Sequence, residues 1–335
     1  VAKAAWITLG ALLLTGGGAA MVYQNRTAPM PEGQELYVRW DKGESLRQAL
    51  TQLEQKGVVK DAEVAFLASR LKNVPSPKRG TYQFRPGMTL DQVFRSLGQP
   101  VRRMVTLREG RWIAQIAQDL EKAGVCKASD YIRLANEPSR FSNMVSFPLP
   151  STSLEGYLYP DTYDLPPMLG AEGVILLQLR TFQEKVVSKT GVEDLHNRVI
   201  VASMVEREAS DREERKKVAG VIQNRIERRM PLQIDATVLY ALQEWRVLGQ
   251  GVVRTVKSPY NTYLKRGLPP GPIGSPTLTS IEAAFNPAEH DYLFYVARPG
   301  KLHYFAKTYP EHNQNINRAR AEFRALGLGR EDSGL

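Results

Sequence analysis

The chain has 335 residues and a formal net charge of +10, from 45 Lys plus Arg against 35 Asp plus Glu. With 42% hydrophobic and 24% charged residues the composition is globular. This excludes a mainly disordered chain, a collagen-like fibre and a multi-span membrane protein, and the length predicts about two soluble domains plus extras. The basic balance, with a pI near 9.6, points to an anionic partner: nucleic acid, anionic lipid or an acidic polymer.

Residues 4–22 form a run of 19 residues without a charge. At 1.5 Å per residue it reaches about 28 Å, enough to cross a hydrocarbon core of about 30 Å. Trp6 and Tyr23 stand near its two ends, where amphipathic rings favour the headgroup level. A retained transmembrane anchor is expected, with a cleaved signal peptide as the rival; both put the bulk of the chain outside the cytoplasm. Residues 27–34 read as a Pro/Gly linker.

Three segments then share a pattern of strand, turn and amphipathic helix. Short alternating stretches at 36–40, 80–85 and 101–107 precede apolar residues at helical spacing: Leu46, Ala49, Leu50 and Leu53; Leu90, Val93 and Leu97; Ile113, Ile116, Ala117 and Leu120. Ser45 and Thr89 are expected as helix N-caps. Gly57, Gly98 and Gly124 are expected to make left-handed C-terminal turns. The unit resembles LysM-like modules, which bind N-acetylated glycans; a small α+β positioning domain is the alternative.

Several chemistries have no motif. Cys126 is the only cysteine, so no intramolecular disulfide or thiolate metal cage is available, and a packing role is expected for it. His196, His290, His303 and His312 fall in no metal-ligand spacing. There is no G-x-S-x-G elbow, Walker A loop or strand–GxGxxG–helix unit. No zinc finger or RNP-like motif accompanies the basic charge, so nucleic acid is not expected as a partner. No cofactor or metal is implied.

The strongest signal is a carboxylate on an apolar helical face. Residues 197–209 (NRVIVASMVEREA) predict a helix. With Glu208 at zero on the wheel, Val201 lies about 20° away, Met204 about 40°, Val205 about 60° and Ile200 about 80°. Glu206 lies about 160° away, on the opposite side, so the two glutamates cannot share a role. An acid among apolar groups loses hydration when charged, its pKa rises, and it becomes a general acid near neutral pH. The alternative is an ion pair with Arg212 at i+4. Ser210 and Asp211 ahead of Glu213 and Glu214 read as a double capping box opening a second helix, with Val218, Val221, Ile222 and Ile226 on its apolar face and Asn224 within it. Asp235, after Gln233, is expected to N-cap a third. The loops 258–263, with Tyr260, Asn261 and Tyr263, and 267–276 (GLPPGPIGSP) are candidate walls of a saccharide groove: aromatic faces stack on sugar rings and amides bond N-acetyl groups.

The run from Val199 to Leu242, together with SPYNTY, GLPPGPIGSP, FNPA at 285–288 and EGYLYPDTY at 155–163, resembles the endolytic murein transglycosylases of the MltG/YceG family. Where members often carry Asp-Pro-Thr, this chain has Asp235-Ala236-Thr237. The resemblance implies an α+β fold: an N-terminal transmembrane helix, a small LysM-like region and a mainly helical, goose-lysozyme-like catalytic domain with short strands. The expected divisions are 1–27 anchor, 28–107 LysM-like region, 108–190 connecting segment, 191–327 catalytic domain and 328–335 tail, with strands at 292–297 and 302–305 and a last helix at 313–326.

The resemblance further implies Glu208 as the catalytic residue, with Asn224, Gln233, Asp235, Tyr260, Asn261 and Tyr263 as candidate substrate-binding residues. It implies peptidoglycan glycan strands as substrate, peptidoglycan synthases (penicillin-binding proteins) as partners, and a single-pass inner-membrane protein whose N-terminus is inside. The implied reaction cuts the β-1,4 bond between N-acetylmuramic acid and N-acetylglucosamine without water and leaves a 1,6-anhydro end. A lysozyme-like hydrolase and a non-enzymatic wall-binding scaffold are the alternatives.

Overall fold

The computed structural model describes residues 21, 23–30, 34–244, 246, 248 and 251–327. Apart from Met21, the expected membrane span lies outside the described residues, as does the tail 328–335. Among the described residues no helix is long and apolar enough to cross a membrane. The chain forms two compact units, one of Val1–Met104 with Asp164–Gly170, the other of Val105–Tyr163 with Ala171–Leu335.

In the first unit β1 (Leu36–Trp40) is followed by α1 (Leu46–Gln55), α2 (Ala62–Leu71), β2 (Gly80–Phe84) and α3 (Leu90–Leu97). The two strands pair antiparallel, Val38 opposite Tyr82. Alternation sends Val38, Trp40, Tyr82 and Phe84 inward, where they bury with Leu50, Leu53 and Leu97 in one core. Ser45 and Thr89 each accept the backbone N–H three residues on, and each is met by a returning Gln side chain, closing two capping boxes. Gly57 (φ +70°) makes its left-handed turn; Gly98, at φ −85°, stays right-handed, contrary to expectation. Helix α2, capped by Asp61, was not anticipated.

The third expected repeat does not belong to this unit. Strand β3 (Met104–Thr106) pairs with the distant β4 (Thr162–Asp164), and the helix after it packs in the second unit. The first unit is therefore one β-α-α-β module with an added helix. The segment 108–190 is likewise not a separate connector: apart from 164–170 it lies in the second unit.

That unit holds α4 (Ile113–Lys122), α5 (Ala128–Ala135), α6 (Gly170–Phe182), α7 (Leu195–Glu208), α8 (Arg212–Glu227), α9 (Asp235–Leu242), α10 (Leu278–Phe285), the hairpin β5 (Phe294–Arg298) with β6 (Leu302–Ala306), and α11 (Tyr309–Ala325). Helix α7 is its centre. Val199, Ile200, Ala202, Ser203, Met204 and Val205 are all buried, so apolar contact surrounds more of the helix than one stripe. Helices α8, α9 and α10 pack on it. The last helix begins four residues earlier than expected, because Thr308 and Glu311 form a capping box.

The GLPPGPIGSP loop is mainly a packing element. Residues 271–276 are all buried. The Ile273 N–H donates to Ser203 Oγ (3.0 Å), the Ser275 N–H to the Arg111 carbonyl (2.9 Å), and the Gly110 N–H to the Ser275 carbonyl (2.8 Å). Gly156 (φ +81°) faces this loop so closely that a Cβ there would stand 2.5 Å from Pro272 Cβ.

Candidate active site

Helix α7 ends at Glu208, and α8 starts after three intervening residues. Asp211 caps α8, accepting from the N–H groups of Glu213 and Glu214. The Glu208 residue is half-buried, but its carboxyl is shielded. Burial pushes its pKa up to about 7, helped by the negative Asp235 and opposed by the Tyr295 hydrogen bond and the positive Arg207 and Arg225. The Tyr295 hydroxyl donates to Oε2 at 2.9 Å. The alternative pairing with Arg212 does not form: that guanidinium lies 3.5 Å from Glu282 on α10.

Arg225 projects from α8 into the same region and is buried. Its guanidinium donates to the carbonyls of Leu293 (2.6 Å), Leu232 (2.7 Å) and Pro231 (3.2 Å), and reaches Gln233 Oε1 at 3.5 Å. It thus braces the turn into α9 against the start of β5 and places a positive charge near Glu208. The turn is a left-handed one, Gln233 having φ +53°, a strained value for a residue with a Cβ.

Asp235 opens α9 without capping it; Ile234 holds the cap position and makes no side-chain cap bond. The Asp235 Oδ1 instead accepts from the Tyr263 hydroxyl at 2.5 Å. The Tyr263 loop is tied to this turn by Thr262, whose Oγ1 accepts from the Ile234 N–H (3.0 Å) and lies 3.0 Å from Thr237 Oγ1. Tyr263, Asp235, Arg225, Tyr295 and Glu208 therefore form one electrostatically linked cluster, beside which Gln233 is exposed and Asp235 and Tyr263 are half-buried.

Two expected groove residues have their amides committed to the fold. The Asn224 amide donates to the carbonyls of His290 (2.7 Å) and Tyr292 (3.0 Å). Asn261 is fully buried, its amide donating to the Val253 and Val256 carbonyls (2.7 and 2.8 Å) and its Oδ1 accepting from the Tyr263 N–H (3.0 Å). The NH2 groups of both are committed to shaping the loops, and in Asn261 the amide oxygen is committed as well. Tyr260 is half-buried against Tyr240, ring centres 4.8 Å apart.

Glu206, two residues before Glu208, has a different environment. Its side chain is 2% exposed, pairs with Arg215 at 2.9 Å, and accepts from the Thr277 N–H (2.7 Å) and hydroxyl (2.6 Å). A third acid carries no assignment from the sequence. Glu155 is buried, and burial pushes its pKa up to about 8. Its Oε2 accepts from the Ile113 N–H (3.1 Å) and the Tyr240 hydroxyl (3.3 Å). The Glu155 residue is buried, whereas the Glu208 residue is half-buried. Cys126, with its thiol pushed up to about 11 by burial, stays protonated and is a poor nucleophile.

Tyr295, Arg225 and Glu155 escaped the sequence reading. Arg225 carried a usable signal, since it falls on the apolar face of α8 at i+7, i+4 and i+3 from Val218, Val221 and Ile222, the pattern that singled out Glu208. Nothing local marks Tyr295.

Among the described residues no group of three or more His, Cys, Asp or Glu side chains is arranged to hold a metal ion. A model of the YceG-like family matches residues 38–318. An endolytic murein transglycosylase of Bacillus subtilis (strain 168) is 30% identical, with 89% of each chain covered. One from Streptococcus pneumoniae (serotype 2, strain D39) is 28% identical over 91% of this chain and 63% of its own greater length. The 2.6 Å crystal structure of a yceG-like protein from Listeria monocytogenes matches with TM-score 0.57 and 30% identity, covering 84% of this chain and 98% of that one. With a family model spanning most of its length and a relative of this identity and coverage, the chain belongs to the YceG-like family.

Proposed function

We propose that the protein is an endolytic murein transglycosylase that cuts inside glycan strands of peptidoglycan, with Glu208 as its general acid and base. The observation that carries this reading is a shielded carboxyl, on a residue that is only half-buried, held near pKa 7 with one hydroxyl donor among the described residues. Such a group is substantially protonated at neutral pH and reachable by a polymer. The names of the Bacillus and Streptococcus relatives support the same activity.

Glu208 gives its proton to the glycosidic oxygen as the bond from C1 of N-acetylmuramic acid breaks. The C6 hydroxyl oxygen of that sugar bonds to C1, and the Glu208 carboxylate takes the hydroxyl proton. Atoms balance without water: the products are a free N-acetylglucosamine 4-hydroxyl and a 1,6-anhydro end. One carboxyl serves both halves, whereas hydrolytic glycosidases use two, about 5–5.5 Å apart for retention or 6.5–9.5 Å for inversion. Arg225 steadies the transient carboxylate. Asp235 is the second acid in the neighbourhood, and its bond to the Tyr263 hydroxyl fits it for orienting substrate.

We further propose that residues 4–22 anchor the chain in the cytoplasmic membrane, N-terminus inside and the chain after the anchor outside, beside the synthases that extend the strands. The +10 charge suits a polymer bearing peptide carboxylates. Mass spectrometry of digested glycan strands tests the chemistry. Anhydro-terminated fragments are expected; fragments one water heavier identify a hydrolase, and an absence of fragments identifies a wall-binding scaffold.

A further inference from the structure

Tyr295 is the one hydrogen-bond donor to Glu208 among the described residues, so whatever fixes its ring also fixes the acid. On the paired strand β6 the His303 ring stands edge-on to the Tyr295 ring, 5.5 Å between centres at 87°. Ala297 pairs with His303 and Tyr295 with Phe305, so His303 is the diagonal neighbour of Tyr295, within reach of a ring. His303 is in turn gripped by Glu214 of α8. Oε1 of Glu214 accepts the His303 backbone N–H at 3.0 Å, and Oε2 lies 2.8 Å from Nδ1 of the ring. The two side chains are 6% and 9% exposed.

Glu214 departs from a local rule to do this. It is the third residue of α8, where a glutamate after an Asp cap normally turns back to the cap N–H. Asp211 accepts from the Glu214 N–H, but the Glu214 carboxylate goes to the hairpin. A side chain that leaves its local partner for a buried distant one marks a site where tertiary structure has a use for it.

We propose that Glu214 and His303 are a positioning pair for catalysis. They fix the plane of Tyr295, and so aim its hydroxyl at Oε2 of Glu208 and leave Oε1 to carry the proton to substrate. This rests on Glu208 being the acid. The groups whose charge or hydrogen bond acts most on Glu208 are Tyr295 from β5, Asp235 from α9, Arg225 from α8 and Arg207 from its own helix, with Tyr263 beside Asp235. Glu214 bonds His303 and His303 packs on Tyr295, so the chain of contacts from this pair to Glu208 runs through Tyr295.

A double-mutant cycle on the full chain tests this, reading kcat, KM and the pH profile of anhydro-end formation. Tyr295→Phe removes a bond that favours the Glu208 carboxylate, so the basic limb of the kcat profile is expected to move to higher pH and kcat to fall. His303→Ala is expected to move the limb the same way and to lower kcat on the order of 10-fold, within the ~100-fold that a misplacement of about 1 Å costs, with KM little changed. In the Tyr295→Phe background His303→Ala is expected to change neither quantity further. Glu214→Gln, which keeps an acceptor for the backbone N–H and a polar partner for the ring, is expected to retain more kcat than Glu214→Ala. Should His303→Ala not fold, His303→Gln takes its place in the cycle. Additive losses, or a limb that stays in place, overturn the proposal. A Glu208→Gln variant that still cuts overturns the reading beneath it instead.

Discussion

Glu206 and Glu208 are two residues apart on one helix, and the regions around them differ in how completely negative charge is compensated. The Glu206 pocket supplies a guanidinium, a backbone N–H and a threonine hydroxyl. The Glu208 pocket supplies one tyrosine hydroxyl, a repelling aspartate and the positive charges of Arg207 and Arg225 acting through space. Full compensation ties the Glu206 carboxyl into the packing of its own helix against Arg215 and Thr277. Partial compensation leaves a carboxyl whose two protonation states are close in energy at neutral pH, as proton donation followed by recapture requires.

The sharpest way to break this comparison is to neutralise each acid. Glu208→Gln is expected to lower anhydro-end formation by ~100- to 10,000-fold, the range of a lost general acid, with the fold intact. Glu206→Gln is expected to keep cleavage in whatever fraction remains folded, since the amide oxygen still accepts from Thr277. Fragment release from purified glycan strands compares the two, and the reverse pattern would falsify the assignment.

Removing the counter-charge probes the structural side. Arg215→Met leaves Glu206 buried and unpaired, and breaking such a pair costs about 3–5 kcal/mol. Denaturant unfolding measures that loss, while the activity per folded molecule is expected to hold.

The sealed acid Glu155 gives a pH signature. A carboxyl whose folded pKa lies above its unfolded value of 4.5 contributes stability below pH 4.5 and loses it as pH rises through the folded value, here about 8 for Glu155 and about 7 for Glu208. The protein is expected to lose stability from about pH 5 to 8. Glu155→Gln is expected to flatten that slope by on the order of a few kcal/mol. Melting temperatures across the range report it, and an unchanged slope would show that Glu155 does not titrate there.

The smallest effect concerns the neighbour of the acid. Asp235→Asn removes a negative charge that raises the Glu208 pKa, so the basic limb of the kcat profile is expected to move to lower pH. A limb that stays in place would mean that the Asp235 charge does not set the Glu208 pKa, and a loss of cleavage as complete as in Glu208→Gln would mean that Asp235 carries the proton itself.

Much of the fold was legible because its signals are local. Ser45 and Thr89 cap as read, since a hydroxyl at the N-cap competes only with its own helix. The hairpin and last helix lie close to their expected positions, with the turn made by Gly300 and Lys301 at positive φ. The third repeat misled because one strand–helix unit looks like another until strands choose partners, and β3 chose β4. Asp235 read as a cap because Asp at a helix start usually is one; a tyrosine hydroxyl from another loop outcompeted the backbone. The amides of Asn224 and Asn261 looked available because a sequence cannot show which backbone carbonyls a fold leaves without donors.

The sequence by itself determined the helix that carries Glu208, the opposed directions of its two glutamates and the motifs that mark the family. Periodicity, capping and motif spacing act within a few turns of chain. Only the tertiary structure decided which buried acid keeps a working proton. That choice depends on desolvation and on charges delivered by Arg225, Asp235 and Tyr295 from three other elements. Coulomb interactions and burial act through space, so no stretch of residues around Glu208 contains them.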